Sequence, residues 1–242
     1  MTPGNSAAAE ARRGPILPSR YDAGWRDPFD AHIRPHLRPG VRVLDVGAGA
    51  EPVIPPHARP FGCTYTGLDI DPGELQKAPR GSYDDAIVAD ATKFMPCLEE
   101  QFDLVVSWQV LEHVPSLQDA LENCYRYLRP EGALVALFSG RFALFAIVNR
   151  LVPDRVGEFA MERLLGRDPE TIFHAFYDRT CYTAVVPLLN KWNSWELIPL
   201  YVGAGYFSFN RFLYKAYLGF ENWAARTGRA NLATYYVLAA ER

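Results

Sequence analysis

Short apolar runs closed by acids and turn residues recur along the first 140 positions and alternate with stretches of helical period. Val41 to Val46 predicts strand 1, Thr64 to Asp69 strand 2, Ala86 to Ala89 strand 3 and Asp103 to Ser107 strand 4. Strand 4 reads Asp-Leu-Val-Val-Ser, an apolar run that suits a strand covered on both faces. Upstream, Trp25, Phe29, Ile33 and Leu37 fall at near-helical spacing between Tyr21 and Gly40, and Pro39-Gly40 supplies the stop. Between strands 1 and 2, Pro52, Pro55, Pro56 and Pro60 disfavour a long helix. After strand 4, Ser116 and Asp119 form a capping pair, and Leu117, Ala120, Leu121, Cys124 and Leu128 trace one apolar helix face. Pro130 and Gly132 end that helix, and Ala133 to Phe138 predicts strand 5. Strands and helices alternating at this spacing imply a doubly wound α/β sheet, mostly parallel, with helices on both faces.

The rhythm changes after Gly140. Helical pieces are predicted at Phe142–Leu151, Glu158–Leu165 and Tyr182–Leu189, with strand 6 at Trp195–Tyr201 and strand 7 at Leu232–Ala239. Between the last two strands lies a stripe of 3.6-residue period: Phe209, Phe212, Leu213, Ala216, Tyr217, Phe220, Trp223 and Ala224. Arg211, Lys215, Glu221 and Asn222 stand opposite it. The favoured reading packs this stripe on the sheet. The other lets its excess aromatic surface, with Phe142 to Val148, line an apolar pocket or lie on a membrane face. Met1 to Pro18 is rich in Ala, Gly, Pro and Ser and reads as a disordered arm without the apolar run of a signal peptide.

Bulk properties narrow the classes. The 242 residues, 49% hydrophobic and 22% charged, fit one large α/β domain or two small ones. A net charge of −3 supplies no positive field for nucleic acid. Cys63, Cys97, Cys124 and Cys181 form no C-x-x-C pair, so no metal site is expected, and reduced thiols of a cytoplasmic protein are the plain reading. The longest apolar stretch, Ala133 to Val152, is broken by Arg141 and Arg150, which argues against a membrane span.

The chemistry concentrates after strand 1. Gly47 and Gly49 allow a sharp turn that brings backbone N–H groups close to a ligand. A dinucleotide fingerprint would place a third glycine where Pro52 stands, which argues against NAD or FAD. Asp69 ends strand 2, where an ionised carboxylate can accept from both hydroxyls of a ribose.

These residues resemble the class I S-adenosylmethionine-dependent methyltransferases, in particular the type 11 small-molecule group. The resemblance rests on Val43-Leu44-Asp45-Val46-Gly47-Ala48-Gly49, Gly67-Leu68-Asp69, Val88-Ala89-Asp90-Ala91, Phe102 to Ser107 with Val110-Leu111-Glu112-His113, and Leu128-Arg129-Pro130-Glu131-Gly132. It covers Val41 to Phe138 well and the remainder loosely. Ala50 departs from it, standing where many members have a third glycine. The resemblance implies a seven-stranded Rossmann-like sheet of order 3-2-1-4-5-7-6 with strand 7 antiparallel. It implies S-adenosylmethionine as cofactor, bound through Asp45, Gly47, Ala48, Gly49, Asp69, Ile70, Asp90, Ala91 and Ser107. A single domain over 19–242 follows, with a cofactor-binding half (19–140) and an acceptor half (141–242).

Methyl transfer needs little beyond alignment, and a general base helps where the acceptor is a hydroxyl. His113 is the first candidate, although packing against the cofactor loop is the slightly favoured role for it. His174 and Tyr177, beside Asp178, are candidates from a segment that caps the acceptor side. The expected acceptor is a small molecule of lipid-linked or sugar-containing type, with no nucleic acid partner. Peripheral membrane contact and oligomeric state stay open. The competing function is a non-catalytic subunit that binds the cofactor or its demethylated product. A nucleotide-dependent oxidoreductase is a third reading, opposed by Pro52.

Overall fold

A computed structural model of the chain describes residues 18–22, 24–144, 146–147 and 175–242. Seven strands form its sheet: β1 (Arg42–Val46), β2 (Thr64–Asp69), β3 (Asp85–Val88), β4 (Phe102–Trp108), β5 (Leu128–Ser139), β6 (Ser194–Leu200) and β7 (Tyr235–Glu241). Their order is β3-β2-β1-β4-β5-β7-β6. β1 to β5 pair in parallel, and β7 lies antiparallel between β5 and β6, as the resemblance implied. The described α-helices are α1 (Asp27–Ile33), α2 (Pro72–Lys77), α3 (Leu117–Tyr127), α4 (Tyr182–Val185) and α5 (Arg211–Arg226).

The two-residue period of the strands divides the core into two layers. Val43, Leu104, Val106, Val135 and Val237 point to one face, where Phe29 and Ile33 of α1 cover them. Leu44, Val105, Leu134, Ala136 and Leu238 point to the other, under Leu117, Leu121 and Cys124 of α3. Burial pushes the Cys124 thiol up to about 12, so it behaves as a small apolar side chain. None of the four cysteines is in a disulfide.

Prolines explain most departures from the predicted elements. The helix expected over Tyr21–Gly40 divides into a 3-10 turn at Ser19–Tyr21, seven-residue α1, and a second 3-10 turn at Arg34–His36 that contains Pro35. Pro35 has no N–H to continue the α-helical ladder. Likewise α4 gives way to a 3-10 turn at Val186–Leu189, which contains Pro187. β5 begins earlier than predicted, because Leu128 pairs with Phe102 before an irregularity in the register. β7 begins later, because Ala230–Leu232 forms a 3-10 turn. α3 starts where expected, with Ser116 Oγ accepting the Asp119 N–H at 3.3 Å.

α5 is rolled relative to the predicted stripe. Its buried residues are Tyr217, Leu218, Glu221 and Ala224, whereas Phe209, Phe212, Leu213, Phe220 and Trp223 are exposed. The reason lies at Glu221, expected on the polar face but only 1% exposed. Glu221 Oε1 accepts the Gly203 N–H and the Thr234 hydroxyl, each at 2.7 Å, and Oε2 accepts the Tyr21 hydroxyl. Of the helices predicted at Phe142–Leu151 and Glu158–Leu165, residues 144, 146 and 147 are helical. Phe142 and Ala143 form a turn and a bend, and the remainder of both predicted helices, with the arm over residues 1–17, lies outside the described residues.

Candidate active site

The sheet order reverses between β1 and β4, which opens a crevice at their carboxyl ends. Gly47 and Gly49 turn the chain there with φ of +75° and +53°. A Cβ on Gly47 would lie 2.0 Å from Val110 Cγ2, so the turn fits against the segment after β4 only with glycine. A Cβ on Gly49 would meet nothing closer than Asp69 Oδ2 at 3.9 Å, leaving open space for close approach of a ligand. The N–H groups of Gly47 and Ala48 both donate to Leu68 O, which ties the turn to the end of β2.

The two strand-end acids take different roles. Asp45 is fully buried, and its Oδ2 accepts the Val53 N–H at 2.8 Å and the Tyr65 hydroxyl at 2.7 Å. Burial raises its carboxyl to about 6, while those two bonds act the other way. It therefore holds the proline-rich loop from behind and presents no surface to a ligand, contrary to its expected contact with the cofactor. Ser107 is likewise fully buried and donates to Val46 O at 3.0 Å, joining β4 to β1 instead of facing the crevice.

Asp69 is half-buried. Its Oδ2 accepts the Gly49 N–H at 2.9 Å and its Oδ1 the Asp71 N–H at 2.9 Å. Each carboxylate oxygen can accept a second bond, so the same group can fix the glycine turn and still receive two hydroxyls. Ile70, next along, is 67% exposed and offers an apolar edge. Asp90 lies just beyond β3, with Oδ1 engaged by the Thr92 N–H and hydroxyl at 2.8 and 2.7 Å. Ala91 follows it, its carbonyl accepting from Asn123 at 2.9 Å.

Tyr83 is a member of the site that sequence reading missed. Its hydroxyl donates to Ala48 O at 2.7 Å and Gly49 O at 3.1 Å, gripping the turn from below. A Cβ on Gly67 would come within 2.7 Å of the Tyr83 ring. The available signal was Gly67 itself, since a glycine inside a strand marks a close approach.

On the opposite wall, β4 is followed by Gln109, a non-glycine residue at φ +57° whose N–H donates to Leu137 O at 2.7 Å. The turn that follows carries Glu112 and half-buried His113, whose N–H donates to Val110 O at 2.8 Å. Glu112 is buried, and its Oε1 accepts the Ser139 N–H and hydroxyl at 3.0 and 2.7 Å. The Tyr177 N–H donates to Glu112 O at 2.9 Å, and Asp178 Oδ2 accepts the Leu117 N–H at 3.0 Å. The Tyr177 segment is thus docked on the His113 turn. The Tyr177 side chain is 3% exposed and packs on Ala143 and Ala146. That gives it a packing place, where the sequence suggested a catalytic one. His174 lies outside the described residues. Among the described residues no group of His, Cys, Asp and Glu could hold a metal ion, and no helix is long and apolar enough to cross a membrane.

The family model for the methyltransferase domain, type 11, matches residues 44–136, from β1 into β5. Residues 44–136 are thus similar to a methyltransferase domain. Over 128 residues it is 35% identical to malonyl-[acyl-carrier protein] O-methyltransferase of Enterobacter lignolyticus, covering 53% of this chain and 51% of that protein. Over 120 residues it is 30% identical to ubiquinone biosynthesis O-methyltransferase of Actinobacillus pleuropneumoniae, covering 46% and 47%. The chain thus spans about half the length of the curated relatives it matches. The fold is shared with phosphoethanolamine N-methyltransferase 2 of Haemonchus contortus, solved with S-adenosyl-L-methionine. There the TM-score is 0.53 at 15% identity, over 90% of this chain and 53% of that one.

Proposed function

We propose that this methyltransferase domain binds S-adenosylmethionine and transfers its methyl group to a small-molecule acceptor of lipid or sugar type. The observation that carries the reading is Asp69, which fixes Gly49 at the switch point and keeps acceptor capacity on both oxygens. The open space above Gly49, the apolar edge of Ile70 and the Asp90 carboxylate fit the ribose and adenine parts of such a cofactor. The cofactor would supply an already activated methyl group on a sulfonium. The work left to this chain is alignment and, for a hydroxyl acceptor, removal of one proton, for which His113 is the candidate base. Two similar proteins are named O-methyltransferases, which supports an oxygen acceptor.

The test is a melting series with S-adenosylmethionine, its product S-adenosylhomocysteine and NAD, on wild type and Asp69→Ala. A ligand that binds only the folded chain raises its melting temperature. The expected result is stabilisation by the first two ligands in wild type and its loss in the variant. Stabilisation by NAD alone, or by none of the three, would overturn the reading.

A further inference from the structure

A second cavity lies away from the glycine turn, with a volume of about 380 Å³. That is within the size of small-molecule sites, roughly 300–1,000 Å³. One wall is Phe142, Leu144 and Ile147, just beyond the carboxyl end of β5. The other is Leu213, Ala216 and Phe220 of α5. None of the described residues lining it is charged. Tyr217 contributes its ring, while its hydroxyl is bound to Thr234 and the Leu144 backbone. A polar ligand would find no free partner among the described lining residues, and desolvating it would cost free energy. A chain of methylene or isoprene units loses nothing by entering and leaves water.

The cavity is joined to the candidate active site by one packed layer. Ala143 and Ala146, from the same segment as Phe142 and Ile147, rest on Tyr177. The Tyr177 N–H is bonded to Glu112 O, one residue from His113. A ligand with its head at the His113 turn therefore has an apolar compartment on the adjoining side of the sheet edge.

We infer that this cavity receives the apolar tail, an alkyl or prenyl chain, of the methyl acceptor. The assignment of the tail to an acceptor rests on the proposed methyl transfer; the apolar site does not. Leu213 and Phe220, 47% and 36% exposed, line an opening through which a chain can pass.

The experiment uses the full chain with 1-anilinonaphthalene-8-sulfonate as fluorescent reporter and laurate as competitor. Butyrate is the short-chain control with the same head. Laurate is expected to displace the dye saturably at one equivalent, and butyrate to fail at the same concentration. Ala216→Trp fills the cavity from an exposed helix position, and Leu213→Arg puts a charge at its opening. Each is expected to weaken laurate by about tenfold or more. The melting shift with S-adenosylhomocysteine should stay at its wild-type value in both, which also shows that they fold. Equal displacement by butyrate, or laurate binding untouched by both substitutions, would overturn the site. Sedimentation with phosphatidylglycerol vesicles without displacement by laurate would overturn it in favour of a membrane face on α5. Laurate binding as expected with no S-adenosylhomocysteine shift in wild type would overturn the acceptor assignment along with the proposed function, leaving an apolar-chain site.

Discussion

The glycine turn after β1 and helix α5, in the connection from β6 to β7, are held by opposite means. At the turn, backbone geometry decides. Gly47 has no room for a side chain, and Asp45, Asp69, Tyr65 and Tyr83 anchor neighbouring loop segments through hydrogen bonds from two sides. At α5 one buried carboxylate decides. Glu221 gathers donors from Gly203, Thr234 and Tyr21, and so turns aromatic side chains outward that a periodic stripe would have buried. A rigid turn suits a ligand of fixed shape, such as a nucleoside. A helix lined by free apolar side chains suits a ligand recognised by area and volume.

Substitutions test this contrast. Gly47→Ala combines a left-handed φ with a Cβ only 2.0 Å from Val110. It should cost about 4 kcal/mol of stability and abolish the melting shift with S-adenosylhomocysteine. A variant that binds as wild type would show that the turn is adaptable. Glu221→Ala orphans three donors, two of them buried, and should cost about 3 kcal/mol in urea unfolding. A loss under 1 kcal/mol would mean that the roll of α5 has another cause. His113→Ala should lower turnover by about 100-fold with the S-adenosylhomocysteine shift intact. Unchanged turnover would make the residue a packing one.

Asp45 supplies a pH test of the turn. Its folded carboxyl, near 6, lies above the ordinary 3.8, so the folded state binds the proton more tightly. Its contribution to stability is full below about pH 4 and is lost as pH rises to about 6. Asp45→Asn should remove about 2 kcal/mol of that decline, seen by comparing urea midpoints across the window. An unchanged pH profile would assign the decline elsewhere. The smallest effect belongs to Phe212→Ala. At 86% exposure this residue should change stability by less than about 0.5 kcal/mol, in contrast to buried Glu221 on the same helix.

The strands were legible because each buried strand reports itself through a local apolar run. β2 falls on Thr64–Asp69, where the sequence placed it, and the other strands of the parallel part shift only at their ends. Prolines were legible as breakers but not in their extent, since Pro35 and Pro187 convert α-helical turns to 3-10 turns without ending the helical path. The glycine turn and Asp69 could be picked out because their chemistry is carried by residue type and spacing. The difference between Asp45 and Asp69 could not. Both are acids at strand ends, and only the packing of Tyr65 and Val53 against one of them seals it from the crevice.

What the sequence determined alone was therefore the parallel α/β core, the glycine turn and the position of Asp69. All depend on interactions within a few residues or on a repeat of fixed period. The tertiary structure decided which acid faces the crevice, that Tyr83 grips the turn, that the Tyr177 segment docks beside His113, and that α5 leaves an apolar cavity. Each of those joins residues distant in the chain. Their partners are chosen by burial and by the need to satisfy buried polar groups, which no local pattern encodes.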